Sequence, residues 1–413
     1  MVVHHLQNGG TLLANENIEK LIATLEETRA EREELYKWFH RHPELSMEEH
    51  ETAARIEEEL KRMGLEVQTF AGTGKVAVIE NGEGPTVLFR SDHDGLPIAE
   101  ESGADYAVPT EKGVMHACGH DMHTTAQLGA VNALVRNMDA WSGTFIALFQ
   151  PGEEAGGGAR RMVEDGLVDR LPKPDYVFGQ HVLATDPPLG FVFTSGRMTT
   201  AASNWKVRIH GKSGHGSTPH RAIDPVPTAG SIVTRLQAAV AREVDPLEIG
   251  VISVGSIHGG SSSNSICDLV ELGINTRAST DEISEQIQDI MKRVITAECE
   301  AGNCPQPPEF EYLDSVPVIY NNPELTERVK DTFTEFFGEE LVDWGDGFSG
   351  SEDFPVIPNA WDVPYVFIGW SGFEEGEDGP PNHYKGFLPQ LQPTLDRGSM
   401  SVLLAAATVM AKD

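Results

Sequence analysis

The run Met115-His116-Ala117-Cys118-Gly119-His120-Asp121-Met122-His123 holds the densest collection of thiol, imidazole and carboxylate groups in the chain. Those three donor types together suit zinc or a similar transition ion, whereas calcium or magnesium would call for oxygen ligands alone. A Cys-Gly-His by itself is weak evidence for a metal. Three further segments strengthen it: Asp92-His93-Asp94, Gln150-Pro151-Gly152-Glu153-Glu154 and Gln180-His181. Together the four segments offer enough donors for two ions. In the pair Glu153-Glu154, adjacent side chains leaving a strand end face different ways, so one can ligate metal while the other acts as general base on a metal-activated water. Asp94 can hydrogen-bond a ligating imidazole and fix its tautomer. His93 between the two aspartates reads as a bystander.

Each outlying segment follows an apolar strand-like run: Thr86 to Phe89, Thr144 to Phe149 and Tyr176 to Gly179. In open α/β sheets the ligand site lies outside the carboxyl ends of the strands, where successive loops converge. Upstream, Asn17 to Phe39 and Glu48 to Met63 read as amphipathic helices, with Ile18, Leu21, Leu25 and then Ile56 and Leu60 at helical spacing and with solvated charged faces. From there strands and helices alternate through about Val182, the pattern of a largely parallel sheet covered on both faces. Between Ser203 and Val316 the order becomes β-α-β-β-α-β, a ferredoxin-like unit, whose second helix opens with Ser279 and Glu282 at capping-box spacing. After Val316 the α/β pattern resumes with a helix over Pro323 to Phe337 and a strand over Tyr365 to Gly369. Residues 199–315 therefore read as an insertion into one domain formed by 1–198 and 316–413. The glycines at 156–158 lack the Gly-Lys-Ser/Thr that would complete a phosphate-binding loop.

A length of 413 residues suits two domains, since single cores stop growing at roughly 250 to 300 residues. Four cysteines are too few for a disulfide framework and fit a reducing cytoplasm. Met1 to Asn15 shows no basic start followed by an apolar run, and no stretch reaches the roughly 20 apolar residues of a membrane helix; Val402 to Met410 fits a core helix. A net charge of -33, from 64 acidic and 31 basic residues, argues against nucleic acid as a partner. Such an excess of carboxylate repels itself in dilute buffer, but at molar salt the Debye length is about 3 Å and the repulsion is screened. A salt-rich cytoplasm is the expected setting.

The chain resembles the dinuclear metal amidohydrolases and peptidases of the aminoacylase and carboxypeptidase clan, in the branch with hippurate hydrolase and the plant auxin-conjugate hydrolases. The matching segments are His40-Arg41-His42-Pro43-Glu44-Leu45-Ser46, Arg90-Ser91-Asp92-His93-Asp94-Gly95-Leu96-Pro97, His116-Ala117-Cys118-Gly119-His120-Asp121, Gln150-Pro151-Gly152-Glu153-Glu154, Gly211-Lys212-Ser213-Gly214-His215-Gly216 and Gly350-Ser351-Glu352-Asp353-Phe354. They span nearly the whole chain in the family's order. The resemblance implies a zinc-peptidase-like catalytic domain with a central, largely parallel sheet, interrupted by a ferredoxin-like lid or dimerisation domain that moves about linkers near Met198 and Val316. It implies two divalent ions per subunit, zinc foremost with manganese, cobalt or nickel as alternatives, ligated by Cys118, His120, Glu154, His181 and His383, with Glu153 as the base. His215 would polarise the scissile carbonyl, in its own or a partner's site within a homodimer, and Asn264 and Arg277 would hold the substrate carboxylate. The pattern departs in Ser265-Ile266-Cys267, where Val-Ile-Pro is usual, and in Ile274-Asn275, where Gly-Thr is usual; both changes concern the substrate pocket. The activity so implied is hydrolysis of an N-acyl amino acid. A carboxypeptidase or dipeptidase would share every catalytic part, and a non-catalytic metal-binding or ligand-binding protein would be expected to have lost Glu153.

Overall fold

The computed structural model describes residues 16–155, 157–347 and 350–410; the leaderless reading of Met1 to Asn15 and the glycine at 156 lie outside the described residues. The chain forms two compact units. One comprises the chain up to Gly196 with Tyr320–Asp346 and Val356 onward, the other Arg197–Ile319 with Gly347–Pro355. The short return of Gly347–Pro355 to the second unit has no sequence signal, because a loop carries no hydrophobic period.

The first unit begins with three helices, α1 (Glu16–Glu27), α2 (Arg29–Arg41) and α3 (His50–Arg62). The single helix expected over Asn17 to Phe39 is thus two, broken at Thr28, whose Oγ1 donates to Thr24 O at 2.7 Å. Apolar spacing runs on through the break, so periodicity does not reveal it. The charged faces are also not simply solvated: Arg32, Glu49 and Glu59 are buried. Arg32 meets Asp396 Oδ1 at 2.6 Å, and Arg55 meets Glu59 Oε1 at 2.6 Å, so these burials are matched by partners.

Eight strands form the central sheet: β1 (Val67–Phe70), β2 (Gly74–Asn81), β3 (Thr86–Asp92), β4 (Gly143–Gln150), β5 (Tyr176–Leu183), β6 (Phe191–Phe193), β7 (Val342–Trp344) and β8 (Tyr365–Ser371). Their order is β1-β2-β4-β3-β5-β8-β6-β7. Neighbours from β4 through β8 run parallel, as do β6 and β7, while β1–β2, β2–β4 and β6–β8 are antiparallel. At the parallel centre successive residues are buried, Val87 to Phe89 in β3 and Phe145 to Phe149 in β4, because a strand covered on both faces has no solvent side to alternate with. Helix α4 (His120–Arg136) packs against α1, α2 and the C-terminal helix Leu391–Met410, and is buried around nearly its whole circumference. A Cβ at its Gly129 would lie 2.5 Å from Arg32 Cδ, so close packing demands glycine there.

The second unit is a four-stranded antiparallel sheet in the order Gly250–Gly259, Leu269–Ala278, Ala201–His210, Glu309–Val316, with helices Pro225–Glu243 and Asp281–Ala301 between strands in the β-α-β-β-α-β sequence. Trp205, Val207 and Ile209, and Val270, Leu272 and Ile274, are buried while the residues between them are more exposed, the period-2 pattern of a sheet with one covered face. The second helix is capped by Thr280, whose Oγ1 accepts from Ile283 N at 3.2 Å, not by the expected Ser279. Ser279 instead accepts from Ile249 N at 3.2 Å. Among the described residues no helix is long and apolar enough to cross a membrane.

Candidate metal centre

The carboxyl ends of β3, β4 and β5 and the start of α4 bring the candidate ligands together. His120 is the first residue of α4, and Gly119 caps it at φ 83, a left-handed conformation in which a Cβ would also lie 2.3 Å from Val182 Cγ1. Glycine is therefore required there on both counts. Donor atoms of Cys118, His120 and His181 lie within 4.8 Å of one another, as do those of Cys118, Glu154 and His383, and those of His120, Glu153 and Glu154. All five expected ligands and the expected base thus share one cluster. Cys118 Sγ is 3.4 Å from His181 Nε2, and His181 Nδ1 donates to Val182 O at 2.9 Å, which leaves Nε2 with its lone pair toward the thiol. His383 arrives from the far end of the chain on a left-handed residue, φ 65, held by a bond from its N to Ala117 O at 2.8 Å. It is half exposed, with Nε2 3.2 Å from Glu154 Oε1.

A ring of buried polar groups holds these ligands. Asp94 Oδ1 accepts from His120 Nδ1 at 3.1 Å, while its Oδ2 accepts from Glu154 N at 3.0 Å and Ser46 Oγ at 2.6 Å, so one carboxylate orients two ligands. Arg90, fully buried, donates to Gln150 Oε1 at 2.8 Å and to Asp92 Oδ2 at 2.6 Å; Asp92 Oδ1 accepts from His123 Nδ1 at 2.5 Å; and His123 Nε2 accepts from Val182 N at 2.9 Å, next to His181. Glu49 accepts from Gly152 N at 2.8 Å and from Thr73 Oγ1 at 2.7 Å, fixing the turn that carries Glu153 and Glu154. Asn382 donates to Val182 O at 3.2 Å and to Cys118 O at 3.4 Å. Glu49, Asn382 and the Arg90–Asp92–His123 chain were not singled out by sequence reasoning. The signal for Arg90 was available: an arginine ending an apolar strand is buried with a partner or not at all. Glu49 offered none, since it stands at the N-cap of an ordinary charged helix. His93 lies buried with neither ring nitrogen hydrogen-bonded.

The site's electrostatics fit a cation. Burial pushes the Cys118 thiol well up, and Glu154, Glu153 and Asp92 push it further. Burial alone would lower His120, but Asp92, Asp94 and Glu154 raise it to about 10. Burial lowers His181 to about 4, keeping its ring neutral as ligation requires. His120 Nε2 and Glu154 Oε1 are buried with no aligned hydrogen-bond partner, even though His383 approaches the latter. A negative pocket in which unpartnered imidazole and carboxylate donors stand beside a thiol matches what zinc or a related ion binds.

Behind the cluster, His40 in α2 sits between two carboxylates, Nδ1 2.7 Å from Asp121 Oδ2 and Nε2 3.1 Å from Glu100 Oε1, with the rings of Tyr36 and Tyr106 beside it and His116 near Asp121. Burial would lower His40, but the two carboxylates raise it to about 9. Because the folded value exceeds the unfolded 6.5, this imidazolium stabilises the fold fully below pH 6.5, and the contribution is lost as pH rises through 9. We expect about 3 kcal/mol of stability to disappear across that window. Urea denaturation of the protein and of His40→Gln at pH 6 and pH 9.5 checks it: the difference between the two proteins should shrink at the higher pH.

In the second unit, His215 is exposed and pairs with Ser265 across two short strands, and Gly216 N donates to Asn264 O at 2.8 Å, so His215 and Asn264 are neighbours. His215 Nδ1 accepts from Ser217 N at 3.1 Å, which puts the ring proton on Nε2. Arg277 stands on the strand Leu269–Ala278, where its Nε donates to Asn275 Oδ1 at 3.2 Å and its Nη1 is buried without a partner. The departure at Asn275 therefore acts directly on the arginine two residues away.

Residues 88–393 match the model of peptidase family M20/M25/M40. The chain is similar to thermostable carboxypeptidase 2 of Saccharolobus solfataricus, with 34% identity over 397 residues, covering 94% of this chain and 98% of that protein. It is similar to hippurate hydrolase of Campylobacter jejuni, with 32% identity over 353 residues, covering 84% and 90%. Among solved structures it is similar to the YXEP protein of Bacillus subtilis, described as a dinuclear metal binding peptidase from the M20 family, with TM-score 0.73, 25% identity and coverage of 95% of this chain and 98% of that one. The chain belongs to peptidase family M20/M25/M40 and is a metal-dependent amidohydrolase.

Proposed function

We propose that the protein hydrolyses the amide bond of N-acyl-L-amino acids, using two divalent ions held by Cys118, His120, Glu154, His181 and His383. The observation that carries this reading is the convergence of those donors with Glu153 in one buried cluster. Bound there, the ions would supply Lewis acidity, lowering the pKa of a water and polarising the scissile carbonyl. Glu153 takes the proton of the attacking water and delivers it to the amine nitrogen as the C–N bond breaks, yielding a carboxylic acid and a free amino acid. Asp94 keeps His120 Nδ1 protonated and so presents Nε2 as the ligating atom. By resemblance, His215 donates to the carbonyl oxygen as charge develops on it, and Asn264 and Arg277 hold the substrate carboxylate, a task for which a guanidinium fork is well shaped. The thiol and imidazole donors favour zinc, with manganese, cobalt or nickel as alternatives. The setting we propose is a salt-rich cytoplasm and a homodimer formed through the second unit.

The similarity to a carboxypeptidase favours a second reading, in which the acyl group is itself a peptide. One assay separates the two: amine release from N-acetyl and N-benzoyl amino acids and from dipeptides, in molar potassium chloride, with and without a chelator. Chelator-sensitive cleavage of the acyl amino acids is expected. Preference for the dipeptides would move the assignment to peptidase, and silence across the panel with metal-loaded protein would remove both. Unfolding midpoints measured alongside should fall as potassium chloride is withdrawn; midpoints indifferent to salt would contradict the salt adaptation.

A further inference from the structure

Cys299 and Cys304 stand at the C-terminal end of the helix Asp281–Ala301, within the second unit. The chain leaves that helix by a fixed turn. Cys304 N donates to Cys299 O at 3.0 Å, Asn303 N donates to Glu300 O at 3.0 Å, and Asn303 holds the left-handed φ of 55. With Gly302 as the cap, these two bonds and the left-handed residue make a Schellman end, in which the residue three before the cap and the second residue after it come into side-chain contact, usually as an apolar pair. Here both positions are cysteine. Cys299 is buried in the core of the unit and Cys304 is partly buried against the same core, both as free thiols. Burial first, and then the neighbouring Cys304 thiol, push the Cys299 thiol up to about 12.

We propose that this pair is a reversible thiol modification site, at which a low-molecular-weight disulfide oxidises Cys299 and Cys304 to one intramolecular disulfide across the helix end. The thiolate of Cys304 attacks one sulfur of the reagent; the reagent's S–S bond breaks and its first half leaves as a thiol carrying the Cys304 proton. The thiolate of Cys299 then attacks Cys304 Sγ; the mixed S–S bond breaks and the second half leaves with the Cys299 proton. Two protein thiols are oxidised and one disulfide is reduced to two thiols, so atoms and electrons balance. Cys304 takes the first step because it is the accessible member, whereas Cys299 is enclosed and almost wholly protonated at neutral pH. The second step is fast because the Schellman end already sets the two residues side by side, and the helix need not rearrange. The other buried cysteine, Cys118, lies among His181, Glu153 and Glu154 in the proposed metal centre, where the bound ion would occupy its sulfur. Glu298 and Glu300 flank the pair and oppose an anionic reagent, so a neutral disulfide is the suitable probe.

The test exposes metal-loaded, folded protein to 2-hydroxyethyl disulfide, then unfolds it, alkylates the remaining thiols and maps them by peptide mass. Loss of two of the four alkylatable thiols is expected, with Cys299 and Cys304 joined in a species two hydrogens lighter that dithiothreitol reverts. Cys304→Ser, at the partly buried position, should keep its three remaining thiols alkylatable and the thermal midpoint of the parent. A stable mercaptoethanol adduct on Cys304 without ring closure overturns the proposal. So does a bond that forms only after the protein is unfolded. Neither result touches the assignment of the hydrolase, which the chelator assay reads separately.

Discussion

Replacing Glu153 by alanine should lower kcat for an N-acyl amino acid by roughly 10²–10⁴-fold, the usual worth of a positioned general base, while leaving metal content and unfolding midpoint close to the parent's. Glu153 shares the cluster with His120 and Glu154, whose positions are set by other groups: Asp94 holds His120 and the backbone of Glu154, and Glu49 holds Gly152. Removing the Glu153 carboxylate therefore leaves the scaffold of the centre in place. Steady-state kinetics paired with elemental analysis separates the roles. A variant that loses metal together with activity would make Glu153 a ligand, and one that keeps activity within tenfold would end its candidacy as the base.

The largest effect on stability should come from Arg90→Met. Arg90 and Asp92 are both fully enclosed, and the carboxylate is held well below its usual range against burial by His120, Arg90 and His123. Methionine fills the space but leaves a buried carboxylate short of its cation, a change that costs about 3–5 kcal/mol. Chemical denaturation of Arg90→Met, Asp92→Asn and the double variant measures it. Since the penalty belongs to the uncompensated charge, the double variant should recover a substantial part of the loss, and strict additivity of the two single changes would contradict this account.

Much of the centre was legible in the sequence because its parts obey a rule of topology. Cys118, His120, Glu153, Glu154 and His181 all lie at the carboxyl ends of strands or beside the start of a helix, and in a mostly parallel sheet those ends meet. His383 was legible only through resemblance, since its loop has no strand before it and depends on a left-handed residue bonded to Ala117 O. The buried supports were misread because periodicity reports only the apolar stripe of a surface helix. A helix such as α3 shows one apolar stripe and many acids, and nothing local tells Glu49 at its N-cap, which reaches across to Gly152, from the solvated glutamates that follow. The break at Thr28 and the cap at Thr280 were decided by tertiary contacts and by a choice between adjacent hydroxyl residues, where periodicity is silent.

The pairing of β5 with β8 joins Val177 to Tyr365, with the whole second unit encoded between them, and His383 comes later still. A nascent chain on the ribosome therefore waits, for roughly 10–40 s at ordinary rates of synthesis, between finishing β5 and receiving the strand that completes the sheet beside it. Throughout that interval the proposed ligands beside α4 and at the ends of β4 and β5 exist without His383. Chain order thus acts as a timer: the proposed metal centre stays incomplete until the second unit and the segment that returns from it have both been made.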